Sequence, residues 1–318
     1  MSDVKEHIIC ATELTAISVA NLIKEKEFTK DDFLTEEESK NREKLIDQAG
    51  VDAMYAALLD IPFVLRVVGS EGRKHIHQYG EALPTLEGVF GSGDLKLDMV
   101  NDVVEGSKAA KLNTQGAVSV IAVGSHKGLM ATPPDIDYMD KLFGPPQLVG
   151  KISIDSPVEE NLVEVVKVFG IKPHEINVVA MDRDRNTHLV NTCQKFGVNL
   201  ILIKAGDFLP SVLSFTTDKG IYLIMGIGGF EEGVMAAVAA KALGAVGEGR
   251  PWDPERQVEH KKWTIDDLVS GKKEDCLVSI SSITGDNKWF GLPAVEGKTV
   301  TTLTIDVTGV NIEKHVHT

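Results

Sequence analysis

SPVEENLVEVVKVFGIKPHEINVVAM, residues 156–181, is the stretch whose reading decides the fold class. Ser156 predicts an N-cap, Pro157 the first helical position and Glu159 the acid that answers the cap, a strong helix start. NLVEVVKVF continues the helix until Gly170 stops it. INVVAM, 176–181, is then a short apolar run of strand length. The pattern repeats downstream. A helix is predicted around TCQKFG, a strand at NLILIK (199–204), a helix from Pro210 to Phe215, a strand at IYLIMGI (221–227) and a small-residue helix at GVMAAVAAKALG (233–244). This alternation predicts an α/β sheet sandwiched between helices. Thr264 with Asp267 predicts one more short helix, and LVSISSI and TVTTLTIDV predict closing strands.

Upstream, residues 8–24 are apolar at helical spacing, and VDAMYAALL predicts a second amphipathic helix. The charged run 28–47 between them reads as an exposed loop or a helix start. IPFVLRVVG, LKLDMVND and AVSVIAVG read as strands. Residues 131–150, ATPPDIDYMDKLFGPPQLVG, hold four prolines and predict a domain crossover. The expected division is an α+β domain over 1–148 and an α/β domain over 149–318.

The chain has 318 residues and a formal net charge of -14, which argues against a nucleic-acid binder because phosphate backbones are held by clustered Lys and Arg. No run of 18 apolar residues and no signal-peptide pattern is present, so no membrane partner is expected and a cytoplasmic location is. Cys10, Cys193 and Cys276 form no paired motif and read as buried small hydrophobes in a reducing compartment.

Four clusters carry candidate chemistry. MVNDVVEGSKAA (99–110), with Asp98 just before it, places Asp98, Asp102 and Glu105 between two apolar strands. Asp98 and Asp102 fall on one face of an extended chain. Such carboxylates suit a hard divalent cation, and equally a charged hairpin in solvent. MGIGGFEEGV (225–234) has a glycine spacing that departs from the dinucleotide fingerprint, and its two acids oppose a pyrophosphate. It reads instead as a turn presenting Glu231 or Glu232. Arg183 and Arg185, at i and i+2, suit phosphate recognition or surface ion pairing. His75 with His77, and His315 with His317, have spacings that could bind zinc, but pairs without a third ligand read as surface features.

Together these segments resemble the class II fructose-1,6-bisphosphatases of bacteria, within the lithium-sensitive, metal-dependent sugar phosphatases. The resemblance runs in order through CATE (10–13), VDAM (51–54), VVEGS, AVSVIAVG, DYMDK (137–141), SPVEENL (156–162), MDRDR, AGDF (205–208), MGIGGFEEGV and TIDDLVSG (264–271). It implies a layered α/β/α/β/α sugar-phosphatase fold with two mixed sheets. It also implies Mg²⁺- or Mn²⁺-dependent hydrolysis of the 1-phosphate of fructose 1,6-bisphosphate or a related sugar bisphosphate, in gluconeogenesis, by a homodimer or homotetramer. The implied metal ligands are Glu71, Asp102, Glu105 and Glu232. Asp102, Glu105 and Ser107 carry catalysis, and Tyr138, Arg183, Arg185, Asp207 and Ser107 contact the substrate.

The family pattern is altered at several points. Its Asp-Pro-x-Glu-Gly-Thr motif is Asp102-Val103-Val104-Glu105-Gly106-Ser107, and the second acid of its Gly-Glu-Gly-Glu segment is Arg73. Its Asp-Gly-Asp is Ala205-Gly206-Asp207, and Ile280-Ser281-Ser282 stands for Ala-Thr-Gly. The region matching Gly-x-Gly-Asp-Lys reads Glu37-Glu38-Ser39-Lys40-Asn41-Arg42, where Glu38 is the candidate replacement for an Asp ligand. These changes keep open an alternative, a catalytically impaired relative that binds sugar phosphates or regulates.

Overall fold

The computed structural model describes residues 2–28, 34–71, 84–133, 136–253 and 261–318. Arg73, His75 and His77 lie outside the described residues. In chain order the elements are α1 (Ser2–Glu25), α2 (Glu36–Leu58), β1 (Val64–Ser70), β2 (Val89–Phe90), β3 (Lys96–Glu105), α3 (Ser107–Lys111), β4 (Val118–Ser125) and β5 (Tyr138–Gly144). There follow α4 (Val158–Phe169), β6 (Ile176–Met181), α5 (Thr187–Phe196), β7 (Asn199–Ile203), α6 (Phe208–Ser214), β8 (Ile221–Gly229), α7 (Phe230–Leu243) and β9 (Val246–Trp252). The chain closes with β10 (Trp263–Thr264), α8 (Ile265–Leu268), β11 (Leu277–Ser282), β12 (Thr299–Asp306) and β13 (Gly309–Val316).

Two compact units form, each built on one mixed sheet. The first comprises Met1–Leu129 with Gly271–Thr318, the second Met130–Ser270. This differs from the division at 148/149, for two reasons. The chain crosses into the second unit at the head of the proline-rich segment 131–150, and that segment already contains β5, which lies inside the second sheet between β9 and β8. The C-terminal strands β11–β13 do not extend the second sheet; they complete the first, β11 pairing antiparallel with β4.

The first sheet runs β13-β12-β11-β4-β3-β1-β2, with β1 and β3 parallel and the other neighbours antiparallel. Every residue of β3 after Lys96 is buried, as befits a strand paired on both edges under helices. α1 buries Val4, Ile8, Ala11, Thr15, Val19 and Ile23, a stripe at three- and four-residue spacing that packs into this unit's core. Each large aliphatic on that stripe contributes about 1.5–3 kcal/mol. α1 is long and apolar enough by composition to cross a membrane, yet half of its most apolar window is buried in the unit. α2 is one continuous helix over most of the charged run. Thr35 and Glu38 close a reciprocal capping box at its start.

The second sheet runs β10-β9-β5-β8-β6-β7, with β8, β6 and β7 parallel and the rest antiparallel. α4 starts one residue later than its sequence predicts, with Pro157 as the cap residue and Gly170 (φ 65°) ending it. α4 and α5 pack on one face around Leu142, Leu162, Val165, Val178 and Leu223. α7 is buried nearly all round, which its run of alanines and valines permits.

Candidate functional site

In the first unit the acids gather where β1 and β3 end. Glu71 follows β1, and its amide N–H donates to Asn101 O at 3.2 Å. Glu105 ends β3, and ligand oxygens of Glu71 and Glu105 lie within 4.8 Å of each other. The β3–β4 register slips between Asp102 and Glu105, so this end of the strand leaves regular pairing. Asp102 Oδ1 there accepts the Val104 N–H at 3.0 Å. Gly106 (φ 86°) turns the chain into α3, whose first residue, Ser107, donates its hydroxyl to Val104 O at 3.1 Å. Asp102 and Glu105 are both buried. The stretch is therefore a strand end in the interior, and the solvated hairpin is excluded.

Asp98 has a different task. It is fully buried and takes a bidentate pair from Arg66, Nε and Nη2 each at 2.9 Å, with His126 Nδ1 at 3.5 Å. It ties β1 to β3. Glu38, the candidate replacement ligand, spends its carboxylate on the Thr35 N–H (2.9 Å) and hydroxyl (2.7 Å) at the start of α2.

Residues that sequence reasoning missed lie on the same helix. Glu43 and Asp47 sit at i and i+4 on the buried stripe of α2. Lys111 Nζ meets Glu43 Oε2 at 2.6 Å and Ser39 Oγ at 3.3 Å. Burial raises the Asp47 carboxyl well above its ordinary range; Glu43 and Glu71 add to this and Lys111 opposes it. Two acids at helical spacing on an otherwise apolar stripe are the signal in the sequence that could have found them.

In the second unit the glycine turn makes room for polar side chains. A Cβ on Gly228 would strike Asp207 Oδ2 and crowd Lys141 Nζ at 2.9 Å, and one on Gly229 would strike Glu232 Oε2. Only glycine allows this approach. Lys141, 1% exposed on β5, meets Asp207 Oδ2 at 2.8 Å. Glu232 is buried in the first turn of α7.

The two arginines part ways. Arg183 is exposed and donates to the carbonyls of Asp182 (2.8 Å) and Lys204 (2.6 Å), closing the end of β6. Arg185 is half-buried, its Cζ 4.2 Å from the centroid of the Tyr138 ring, with Nε donating to Ile227 O at 3.4 Å. Burial lowers its pKa, and neighbouring Arg183 adds to this while Tyr138 and Asp207 oppose it. It borders a cavity of about 190 Å³ floored by Leu142, Met225 and Ile227.

The model of the family described as bacterial fructose-1,6-bisphosphatase, glpX-encoded, matches residues 36–309. The chain belongs to this family. Its relatives include the D-fructose 1,6-bisphosphatase class 2/sedoheptulose 1,7-bisphosphatase of Synechococcus sp. (strain JA-3-3Ab), 32% identical over 285 residues, covering 80% of this chain and 81% of that protein. The protein of the same name from Thermosynechococcus vestitus is 31% identical over 234 residues, covering 70% and 67%. Membership of this family makes the chain a phosphatase-class hydrolase with an α/β sugar-phosphatase fold.

The two remaining histidines correct the sequence reading. His315 and His317 are no loose surface pair. His315 Nδ1 lies 2.6 Å from Glu13 Oε1 and His317 Nε2 2.7 Å from Glu13 Oε2. Cys10 is exposed, whereas Cys193 and Cys276 are buried. Burial, with Glu159 adding, pushes the Cys193 thiol up to about 12, so it stays protonated and inert.

Proposed function

We propose that the protein hydrolyses the 1-phosphate of fructose 1,6-bisphosphate, or of a seven-carbon bisphosphate, with Mg²⁺ or Mn²⁺. The observation that carries this is the approach of Glu71 and Glu105 within 4.8 Å. Two oxygens bound to one small cation are roughly 3–4 Å apart, so a modest closure completes the pair. The donors are all carboxylates, which suits a hard cation and disfavours a soft one. Glu71, Asp102 and Glu105 are the first unit's ligands, and Glu232 has the ligand role in the second. A bound ion supplies a more acidic water and neutralises charge on the phosphoryl oxygens.

The chain's own residues do the positioning that in-line displacement needs. The Val104 N–H fixes one oxygen of Asp102. The Ser107 hydroxyl, at the head of α3, orients the phosphate or the attacking water by turning from Val104 O. In the second unit Arg185 receives the distal phosphate. Tyr138 and Asp207 contact the sugar, and Lys141 holds Asp207 in place. Binding the distal phosphate makes energy available away from the breaking bond. The same reading assigns gluconeogenesis, a cytoplasmic location and a homodimer or homotetramer. The location draws support from α1, whose apolar stripe is spent in the core.

The test is phosphate release from fructose 1,6-bisphosphate and sedoheptulose 1,7-bisphosphate with and without Mn²⁺, beside Asp102→Ala and Glu105→Gln. Metal-dependent release abolished by both substitutions is the expected result; metal-independent release, or an unchanged Asp102→Ala, overturns it. The engagement of Glu38 in capping favours a second reading, sugar-phosphate binding without turnover. That reading predicts thermal stabilisation by the bisphosphate without metal, lost in Arg185→Ala.

A further inference from the structure

We infer that Trp252 is a positioning residue for recognition of the distal phosphate, acting through Arg185. The inference rests on the reading of Arg185 as the receptor for that phosphate. β5 and β9 pair antiparallel with Tyr138 opposite Trp252, so both rings leave the sheet on the same face. Their centroids are 5.9 Å apart at 79°, an edge-to-face contact that fixes each against the other. Arg185 Cζ lies 4.2 Å from the Tyr138 centroid and 5.8 Å from that of Trp252. Both distances fall within cation–π range. Two residues back along the same strands, Asp140 and Arg250 stand opposite each other as an ion pair at 3.7 Å, which anchors this register next to the rings.

Arg185 sits in the middle of the single 3-10 turn Asp184–Asn186 that leads into α5, and its long side chain carries much rotamer freedom. The half-buried cation makes no carboxylate ion pair within 4 Å among the described residues; the Ile227 carbonyl, Tyr138 and Trp252 surround it, and Asp207 acts on it only at longer range. The rings therefore set where the fork points, and Trp252 supplies the second wall. A guanidinium stacked on aromatic faces keeps its N–H edge free for an anion. Trp252 faces the cation with its ring, so its contribution is orientation, made before the substrate arrives.

The experiment compares KM and kcat for fructose 1,6-bisphosphate in Trp252→Leu, Trp252→Phe, Arg185→Ala and the double variant Trp252→Leu/Arg185→Ala. Where turnover is slow, the same ratios are read as Kd by calorimetry. Leu keeps apolar cover and loses the π face; Phe keeps a ring. Trp252→Leu is expected to raise KM roughly three- to thirtyfold with kcat little changed, and Trp252→Phe to recover most of that. In the Arg185→Ala background, Trp252→Leu adds less than about twofold, since the group it positions is gone. A Trp252→Leu enzyme with wild-type KM, or one whose effect is undiminished without Arg185, overturns the inference. An Arg185→Ala enzyme with wild-type KM overturns the distal-phosphate reading instead, and this inference with it.

Discussion

Lys141 Nζ stands 2.8 Å from Asp207 Oδ2, with the lysine side chain 1% and the aspartate side chain 9% exposed. The pair links β5 to the residue before α6, and Gly228 on β8 leaves the space it occupies. Removing one partner from such a pair strands the other as a buried charge. Lys141→Met is therefore expected to destabilise the protein by about 3–5 kcal/mol, read as a lowered midpoint in urea unfolding. Removing both charges together, in Lys141→Met/Asp207→Leu, is expected to recover most of that loss. A double variant as unstable as the single one would show that the cost lies in packing.

Glu232 depends on its neighbour having no side chain. A Cβ on Gly229 would collide with the Glu232 carboxylate, so Gly229→Ala is expected to push that carboxylate out of position. Overpacking of this kind costs about 1–3 kcal/mol of stability. Mn²⁺ affinity, measured by calorimetry, falls in parallel with that of Glu232→Gln. Gly229→Ala binding Mn²⁺ as tightly as the wild type would remove Glu232 from the ligand set.

The α/β character and most helices and strands of both units are readable from period and caps, because they are driven by local pattern: the stripe of α1, the glycine stop after α4, the apolar runs of β6 and β8. β5 is obscured because its flanking prolines, Pro133, Pro134, Pro145 and Pro146, dominate a window that also holds a strand bound on both edges. β9 reads as polar because Glu248 and Arg250 alternate with glycines, and its stability comes from pairing with β5. The return of β11–β13 to the first sheet is a long-range pairing that leaves no local mark. Of the proposed ligands, Asp102 and Glu105 in the first unit and Glu232 in the second follow from motif order. Lys141, Asp47 and Trp252 cannot be placed that way, because their importance comes from what a distant strand or helix sets beside them.

Glu13 shows the same limit and gives a third prediction. It is 2% exposed on α1, and it takes Thr302 Oγ1 at 2.6 Å besides His315 of the edge strand β13 and His317 just after that strand. The spacing that suggested a metal ligand pair serves to fasten β13 to α1. His315→Ala/His317→Ala leaves a buried carboxylate with one hydroxyl donor, at an expected cost of about 2–4 kcal/mol. Hydrogen exchange in β12 and β13 rises with it. Adding Glu13→Leu recovers part of the loss, since the stranded charge is then gone. A double histidine variant with unchanged urea midpoint would reduce the contact to surface decoration.

Asp140 gives a pH prediction whose sign follows from its surroundings. Burial raises its carboxyl above the ordinary 3.8, although Arg250 and the Lys141 N–H pull the other way. The native state thus holds this proton more tightly than the unfolded chain does. Between the unfolded value and the raised native one the folded protein carries more protons, so this group's contribution to stability falls as pH rises through that window and stays low above it. Asp140→Asn removes the titration. The stability of the variant relative to the wild type is therefore expected to improve from about pH 4 towards neutrality, in paired urea unfolding series across that range. Arg250 keeps its contacts to the Ile154 carbonyl and Asp155, so the substitution leaves that cation held. A stability difference that stays flat across the series, or that moves against the variant as pH rises, would show that the Arg250 pair outweighs the cost of burying the charge.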